Sequence, residues 1–308
     1  MDPARYDALL LVSFGGPEGP DDVMPFLENV TRGRGIPRER LESVAEHYHL
    51  FGGVSPINAQ CRELKAAIEA DLEDHDVDLP VYWGNRNWQP HLADTVRQMK
   101  DDGVRHAAAF VTSAYSGYSC DDQYVEDIER AREQVPDAPR IDKLPVYCLR
   151  PGFIDPFVDA AKSALTRIPH GANLVFTAHS VPLAQPGRAR YVAELEQVAA
   201  AVAERAAPGA PWSLVYQSRS GPPSQPWLEP DVCDHLERLH AEGVGAVVVV
   251  PVGFVSDHME VKYDLDHQAA DRAAALGLAY TRAATPHTDP RFVALARELL
   301  LERSDHRT

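Results

Sequence analysis

The chain has 308 residues, 44% hydrophobic and 25% charged, which is typical of a globular protein and long enough for two domains. Its 30 basic and 46 acidic residues give a formal net charge of −16, which disfavours nucleic acid or an anionic lipid surface as a partner. No run approaches the roughly 18 apolar residues that span a bilayer, and the N-terminal residues do not resemble a secretory signal. We therefore expect a cytoplasmic protein without stable membrane insertion.

Short apolar runs and longer helical segments alternate along the chain. Runs of strand length, many of them β-branched, occupy residues 8–14, 79–84, 105–112, 174–178, 213–217 and 245–252. Helical periodicity is clearest in residues 55–72, 90–99, 189–206 and 257–275. This alternation predicts an α/β protein with a mostly parallel sheet covered by helices on both faces.

The second half of the chain loosely repeats the first half in the same order. LLLVSFGGP (9–17) matches LVFTAHSVP (174–182), VYWGNRNWQP (81–90) matches VYQSRSGPPSQPWLEP (215–230), and DGVRHAAAFVTSAYS (102–116) matches EGVGAVVVVPVGFVS (242–256). Three ordered matches predict two related halves. We place them at residues 1–160 and 161–308, with the final helix free to pack back on the first half.

Ligands of open parallel sheets bind beyond the carboxyl ends of the strands. Five residues stand at such ends in the predicted strands: Phe14, Thr112, His179, Gln217 and Val252. If the two halves face each other, these ends surround one cleft, where we expect the active site.

The four cysteines are far apart in the sequence. They are Cys61, Cys120, Cys148 and Cys233, and no two of them form a CxxC pair. This spacing predicts separate reduced thiols, because a disulfide framework is uncommon in a cytoplasmic chain of this size.

His179 is the first candidate for chemistry. It ends a strand of buried type and is followed by Ser180 and Pro182, so its imidazole is expected to project out of the core. A neutral imidazole accepts a proton near pH 7 or binds a divalent metal. The alternative is a core histidine satisfied by a neighbour, which the strand-end position disfavours.

A second candidate is the acidic segment SDHMEVKYDLD (256–266), which follows a very apolar strand. A spacing of four places Glu260, Asp264 and Gln268 on one face of a helix, in a polar column suited to passing a hydrated cation. The alternative is structural, because Glu260 could form a capping box with Asp257 at the start of the helix.

Other polar residues have both a binding and a local interpretation. Arg32 and Arg34 flank Gly33 and could hold carboxylates through bidentate hydrogen bonds, or could be solvated surface arginines. Tyr48, Ser55 and Tyr124 could donate hydroxyl hydrogen bonds to a carboxylate, or could cap and pack locally.

The ordered motifs SFGGP, TRGRG, FGGVSP, TAHSVP, YQSRSGP, WLEP and VPVGFVSDHMEVKYDLD resemble those of ferrochelatases across nearly the full length. The resemblance implies two Rossmann-like domains of the chelatase fold, each a four-stranded parallel sheet flanked by helices, with the active site in the cleft between them. It agrees with the internal repeat.

The resemblance also implies roles for individual residues. His179 and Glu260 would be catalytic and would face each other across the porphyrin, and Asp264 would join them in handling the metal. Contacts to the tetrapyrrole and its propionates are implied for Phe14, Arg32, His47, Tyr48, Ser55 and Tyr124.

This sequence departs from the family pattern at three of these positions. His47 stands where relatives often have arginine, Gln268 replaces a third carboxylate, and Phe14 replaces a tyrosine able to approach the iron. A phenyl ring cannot coordinate metal, so Phe14 supplies no axial ligand. Some relatives carry a [2Fe-2S] cluster on C-terminal cysteines, but this chain ends in LLLERSDHRT, so we expect no cluster and no other cofactor.

The expected reaction is insertion of Fe²⁺, a substrate, into coproporphyrin III in haem synthesis, with release of two protons. We expect a cytoplasmic monomer whose contacts with neighbouring enzymes of haem synthesis are transient. The alternatives are insertion into protoporphyrin IX, a chelatase for cobalt or nickel, and a non-catalytic protein that binds porphyrin or haem.

Overall fold

A computed structural model describes residues 6–33, 35–222 and 224–305 of the chain. These residues form two compact units. Unit 1 comprises residues 6–112, 123–145 and 293–305, and unit 2 comprises residues 113–122 and 146–292.

Unit 1 is built on a four-stranded parallel sheet with the strand order β2-β1-β3-β4. Its strands are β1 (Ala8–Ser13), β2 (Val81–Asn85), β3 (His106–Val111) and β4 (Arg140–Lys143). Its helices are a 3-10 turn (Pro20–Asp22), α1 (Val23–Val30), α2 (Arg38–His49), α3 (Ile57–Asp74), α4 (Leu92–Asp101) and α5 (Gln123–Glu133). Every residue of β1 is buried, as expected of a central strand covered on both faces.

Unit 2 repeats this architecture with the strand order β6-β5-β7-β8. Its strands are β5 (Asn173–His179), β6 (Trp212–Gln217), β7 (Ala246–Val250) and β8 (Ala279–Arg282). Its helices are a π-helical turn (Tyr118–Asp122), α6 (Pro151–Leu165), α7 (Arg188–Ala206), α8 (Val232–Ala241), a π-helix (Val261–Ala269) and α9 (Ala270–Leu276). The last helix, α10 (Pro290–Asp305), contributes residues from Val293 onward to unit 1.

The predicted repeat is confirmed in the connections that follow the strands. The amide of Asn85 at the end of β2 donates to the carbonyl of Pro90 at 2.8 Å, and the amide of Tyr216 near the end of β6 donates to Pro230 at 2.9 Å. Each pair closes the loop that leads into the next helix, α4 or α8. The α/β class and the two parallel sheets are therefore as predicted.

Two details differ from the sequence predictions. The edge strands β4 and β8 were not recognised, because RIDK and AYTR are short, partly exposed and lack an apolar run. The segment predicted as one helix over 257–275 begins at Val261 and is π-helical as far as Ala269. Among the described residues, no helix is both long enough and apolar enough to cross a membrane.

Candidate active site

His179 lies at the carboxyl end of β5, where the parallel sheet of unit 2 releases the chain. Its Nδ1 donates a hydrogen bond to the carbonyl of Ser180, so Nε2 is the nitrogen that faces outward. Nε2 lies 3.3 Å from Oε1 of Glu260. The backbone carbonyl of His179 accepts from the buried hydroxyl of Tyr191 at 3.1 Å, which fixes the strand end against α7.

Glu260 immediately precedes the π-helix, and its carboxylate is 44% exposed. At the start of the π-helix its side chain makes no capping hydrogen bond. Its backbone is held on both sides: Gln217 Nε2 donates to its carbonyl at 2.9 Å, and its amide donates to Nδ1 of His258 at 3.2 Å. The carboxylate is therefore positioned toward His179 by Gln217 at the end of β6 and by His258, two residues before it in the chain.

The His179–Glu260 pair shifts the pKa of both groups. Burial by itself lowers the pKa of His179, but the charge and hydrogen bond of Glu260 outweigh burial and raise this pKa well above its ordinary value. Burial likewise opposes ionisation of Glu260, yet the His179 charge lowers the pKa of Glu260. At neutral pH the two groups therefore form an imidazolium–carboxylate pair. Burial lowers the pKa of nearby His258, so that this ring is neutral.

Asp264 completes the candidate site of unit 2. Its Oδ2 accepts a short hydrogen bond from Ser218 Oγ and a longer one from Gln217 Nε2 at 3.4 Å. Burial raises its pKa to about 7, against the effect of the Ser218 hydrogen bond. Gln268, the third member of the predicted polar column, is exposed. Among the described residues, no three His, Cys, Asp or Glu side chains are arranged as a ready-made metal site.

In unit 1, Phe14 and Tyr48 lie around one buried ring. Phe26 contacts Phe14 at 6.3 Å, Tyr48 at 6.0 Å and Trp88 at 6.0 Å between ring centroids, in edge-to-face geometry. The Phe14 ring is 37% exposed although it is large and apolar. It is thus available to contact a flat apolar ligand.

Tyr124 is buried against Arg86, a residue that follows β2. The Arg86 guanidinium lies 4.4 Å from the Tyr124 ring centroid and 5.8 Å from that of Phe14. A short ion pair with Asp127 holds Arg86, whose side chain is 6% exposed. One buried cation thereby joins two of the residues that the sequence assigned to porphyrin binding.

The remaining residues that the sequence assigned to porphyrin binding lie outside this cluster of aromatic rings and Arg86. Arg32 is exposed and lines a cavity that Phe14 also lines, whereas Arg34 lies outside the described residues. Ser55 is 4% exposed, and its Oγ accepts a weak hydrogen bond from the amide of Ile57 at 3.5 Å, as in the local interpretation. His47 is half-buried in the last turn of α2, next to Tyr48.

Sequence reasoning missed several residues of both sites. Gln217 was noted only as a strand end, and its register opposite His179 in the β5–β6 pair was the signal that could have found it. Arg86 follows the end of β2, and Asp127 lies one helical turn beyond Tyr124, so both occupied recognisable positions. Ser218 follows the end of β6 in the same way, whereas Tyr191 carried no such signal.

Comparison with known proteins places the chain in a family. The family model described as ferrochelatase matches residues 6–304. A protein of Streptomyces griseus named coproporphyrin III ferrochelatase is 55% identical over 325 residues, which cover 98% of this chain and 87% of that protein. A protein of Nocardia farcinica with the same name is 56% identical over 315 residues, covering 97% and 88%.

Solved structures agree at the level of the fold. SirB from Bacillus subtilis with Fe³⁺ matches with a TM-score of 0.57 at 13% identity, covering 97% of each chain. CbiX, a terminal enzyme of sirohaem synthesis in denitrifying bacteria, matches with a TM-score of 0.53 at 14% identity, covering 96% of this chain and 98% of that one. The fold is the chelatase fold, and the chain belongs to the ferrochelatase family.

Proposed function

We propose that this protein inserts Fe²⁺ into coproporphyrin III to give Fe-coproporphyrin III, with release of two protons. Two relatives that are 55% and 56% identical to this chain over nearly its whole length are named coproporphyrin III ferrochelatase. The observation that carries the proposal is the His179–Glu260 pair, because it sets an ionisable base and a carboxylate 3.3 Å apart at the end of a parallel strand.

His179 is the proposed proton acceptor, and Glu260 controls when it can act. In the resting pair the outward Nε2 of His179 already holds a proton, because Glu260 raises the pKa of the imidazole. When Fe²⁺ approaches Glu260, the metal charge cancels the attraction that retains this proton. The pKa of His179 then falls, its Nε2 proton is released to solvent, and the neutral Nε2 becomes free to accept a pyrrole proton.

Asp264 is the proposed exit for protons. A carboxyl group with a pKa of about 7 is protonated in part of the molecules and ionised in the rest at neutral pH. It can therefore take up a proton from the site and return it to solvent without a large energetic barrier. Ser218 and Gln217 hold the acceptor oxygen in place.

Unit 1 is proposed to supply porphyrin contacts. Phe14 would meet the macrocycle face without coordinating iron, and Arg32, Tyr48 and Tyr124 would serve its polar edge. For Ser55 the burial and the Ile57 hydrogen bond favour a supporting role beneath this surface. His47 would contribute a further hydrogen bond at this edge.

The test is an anaerobic assay with Fe²⁺ and either coproporphyrin III or protoporphyrin IX in the same detergent. We expect kcat/KM to be higher for coproporphyrin III, and formation of no metalloporphyrin from either substrate would refute the enzymatic proposal. Parallel assays with Co²⁺ and Ni²⁺ test the alternative metals, because nitrogen and carboxylate ligands do not select iron by affinity alone.

One observation favours a second candidate substrate, protoporphyrin IX. Leu50, Phe51 and Val54, in the turn after α2, are 63%, 37% and 43% exposed. An apolar turn of this kind suits a substrate that partitions into lipid. An equal or higher kcat/KM for protoporphyrin IX would support this candidate over coproporphyrin III.

Cytoplasmic location, a monomeric state, transient contacts with neighbouring enzymes and the lack of a [2Fe-2S] cluster stay predictions. For the last, the supporting facts are that the four cysteines are far apart in the sequence and that Cys61 and Cys148 are buried. Stoichiometric iron and sulfide in the anaerobically purified protein, together with the visible absorption of an iron-sulfur cluster, would contradict this prediction.

A further inference from the structure

Unit 1 contains a cavity of about 580 Å³ that is unusually basic for so acidic a chain. The lining side chains that carry the argument are Phe14, Arg32, Arg86, Asp127, Arg130 and Gln134. Three of them are arginines and one is an aspartate, in a protein whose formal net charge is −16. The cavity therefore concentrates positive charge where the rest of the chain repels anions.

The charges differ in how firmly they are held. Asp127 binds two arginines: Arg86 through Oδ2 in a short ion pair, and Arg130 through Oδ1 at 2.6 Å. The Arg86 side chain is 6% exposed and fixed against two aromatic rings, whereas the Arg130 side chain is 63% exposed. Because one carboxylate neutralises one guanidinium, the cavity retains excess positive charge at Arg32 and Arg130.

Asparagine side chains add hydrogen-bonding groups to the wall of this basic cavity. Asn29 Nδ2 donates to the carbonyl of Asn87 at 2.8 Å, and Asn87 Nδ2 donates to the carbonyl of Phe14 at 3.2 Å. These bonds tie the cavity wall to the end of β1, next to the exposed Phe14 ring. A ligand that lies on Phe14 thus has a basic, polar cavity at its edge.

We propose that this cavity is a carboxylate subsite for a propionate of the porphyrin, with Arg130 as its principal cation beside Arg32. The proposal rests on the proposed function, because it names where that substrate's charge is bound. Arg130 can leave Asp127 because its own side chain is 63% exposed and because Asp127 keeps its ion pair with Arg86. The Arg86–Asp127 pair forms the fixed wall that keeps the cavity open.

The subsite gives a reason for selecting coproporphyrin III. Coproporphyrin carries four propionates, whereas protoporphyrin replaces two of them by vinyl groups. In the proposed arrangement the cavity receives one of the two propionates that are vinyl groups in protoporphyrin. A vinyl group there would displace water from the guanidiniums and offer no hydrogen bond in return, which is unfavourable. Arg130 is therefore a specificity residue, and its effect depends on the carboxylate of the ligand.

The experiment measures binding of metal-free porphyrins by fluorescence quenching to wild-type protein, Arg130→Gln and a matched control, Arg97→Gln. Arg97 suits this purpose because it is also exposed and also pairs with an aspartate three residues earlier at 2.6 Å, but it does not line the cavity. The ligands are coproporphyrin III, its tetramethyl ester and protoporphyrin IX, all in one detergent.

For Arg130→Gln we expect Kd for coproporphyrin III to rise about tenfold, equivalent to about 1.4 kcal/mol. Kd for the ester and for protoporphyrin IX should stay within about twofold, and Arg97→Gln should leave all three values unchanged. Arg130→Lys should recover part of the loss, because an ammonium keeps the charge without the planar fork.

A rise in Kd that is equal for all three ligands, or a change below about twofold for coproporphyrin III, would overturn the subsite. Failure of the proposed function gives a different result. A wild-type protein that binds coproporphyrin III in an Arg130-dependent manner but forms no metalloporphyrin contradicts the activity and supports the subsite. A wild-type protein that metallates coproporphyrin III while Arg130→Gln binds normally contradicts only the subsite.

Discussion

Replacing Glu260 by glutamine should lower the pKa of His179, because the substitution removes the charge that holds the imidazole proton. The two side chains are 3.3 Å apart. At this distance the attraction between unit charges is about 1.3 kcal/mol in bulk water and about 5 kcal/mol at an effective dielectric constant of about 20. The side chains are 33% and 44% exposed, so solvent screening favours the lower figure. We therefore expect the pKa of His179 to fall by at least about one unit.

The measurement is a pH titration of the histidine ring signals by NMR in wild-type protein, Glu260→Gln and a control, Glu242→Gln. Glu242 is a suitable control because it is an exposed glutamate of unit 2 that pairs with Arg238 at the end of α8. His258, which lies 3.9 Å from Glu260, has to be assigned separately by its own substitution. A His179 pKa that is the same in wild-type and Glu260→Gln would refute the pair and the gating mechanism built on it.

The pair also predicts how stability depends on pH. The raised pKa of His179 stabilises the fold below the ordinary histidine value of 6.5, and this contribution is lost as pH rises through the raised pKa. The lowered pKa of Glu260 stabilises the fold above the ordinary value of 4.5, and this contribution is lost on acidification. The difference in unfolding free energy between wild-type and Glu260→Gln should therefore be greatest between pH 4.5 and 6.5 and vanish at strongly alkaline pH.

Three further predictions concern single residues. His179→Ala should abolish iron insertion while porphyrin Kd and Tm change little, and near-normal turnover would remove His179 from the mechanism. Burial and Arg238 lower the pKa of His235 to about 4, while the unfolded state titrates normally, so the wild-type fold loses stability on acidification. His235→Gln should reduce the loss of unfolding free energy between pH 7 and pH 5 by about 2 kcal/mol. Urea unfolding at both pH values measures this loss, and an equal loss in the two proteins would contradict the prediction. The ferric product complex should lack a phenolate charge-transfer band in the visible spectrum, because Phe14 cannot ligate iron, and Phe14→Tyr is the variant in which such a band can be sought.

The sequence alone identified the strands whose burial on both faces requires a run of apolar residues. The central strands β1, β3, β5 and β7 are almost wholly apolar because helices cover both sheet faces, so they were easily recognised. The edge strands β4 and β8 are short and partly exposed, so they have no distinctive apolar run. The π-helix was interpreted as an α-helix because both place apolar residues at similar spacings over two turns.

For the site, sequence identified the reacting pair but not the residues that position it. His179 and Glu260 are separated by 81 positions, and only the resemblance to a family joined them before the structure was known. Their contact depends on the backbone bonds from Tyr191 and Gln217, which arise from strand register and helix packing. Such contacts are set by tertiary structure, so spacing along the chain does not reveal them.

The repeated halves place Phe14 and His179 at the same position of the same motif, where the matching strands β1 and β5 end. In a homodimer of half-length chains both subunits would carry one residue type there, because each substitution changes both copies at once. Fusion into one chain removes that coupling, so one copy can keep an imidazole while the other acquires an inert ring. The difference between the two strand ends, phenylalanine in unit 1 and histidine in unit 2, is therefore one that two identical subunits could not maintain.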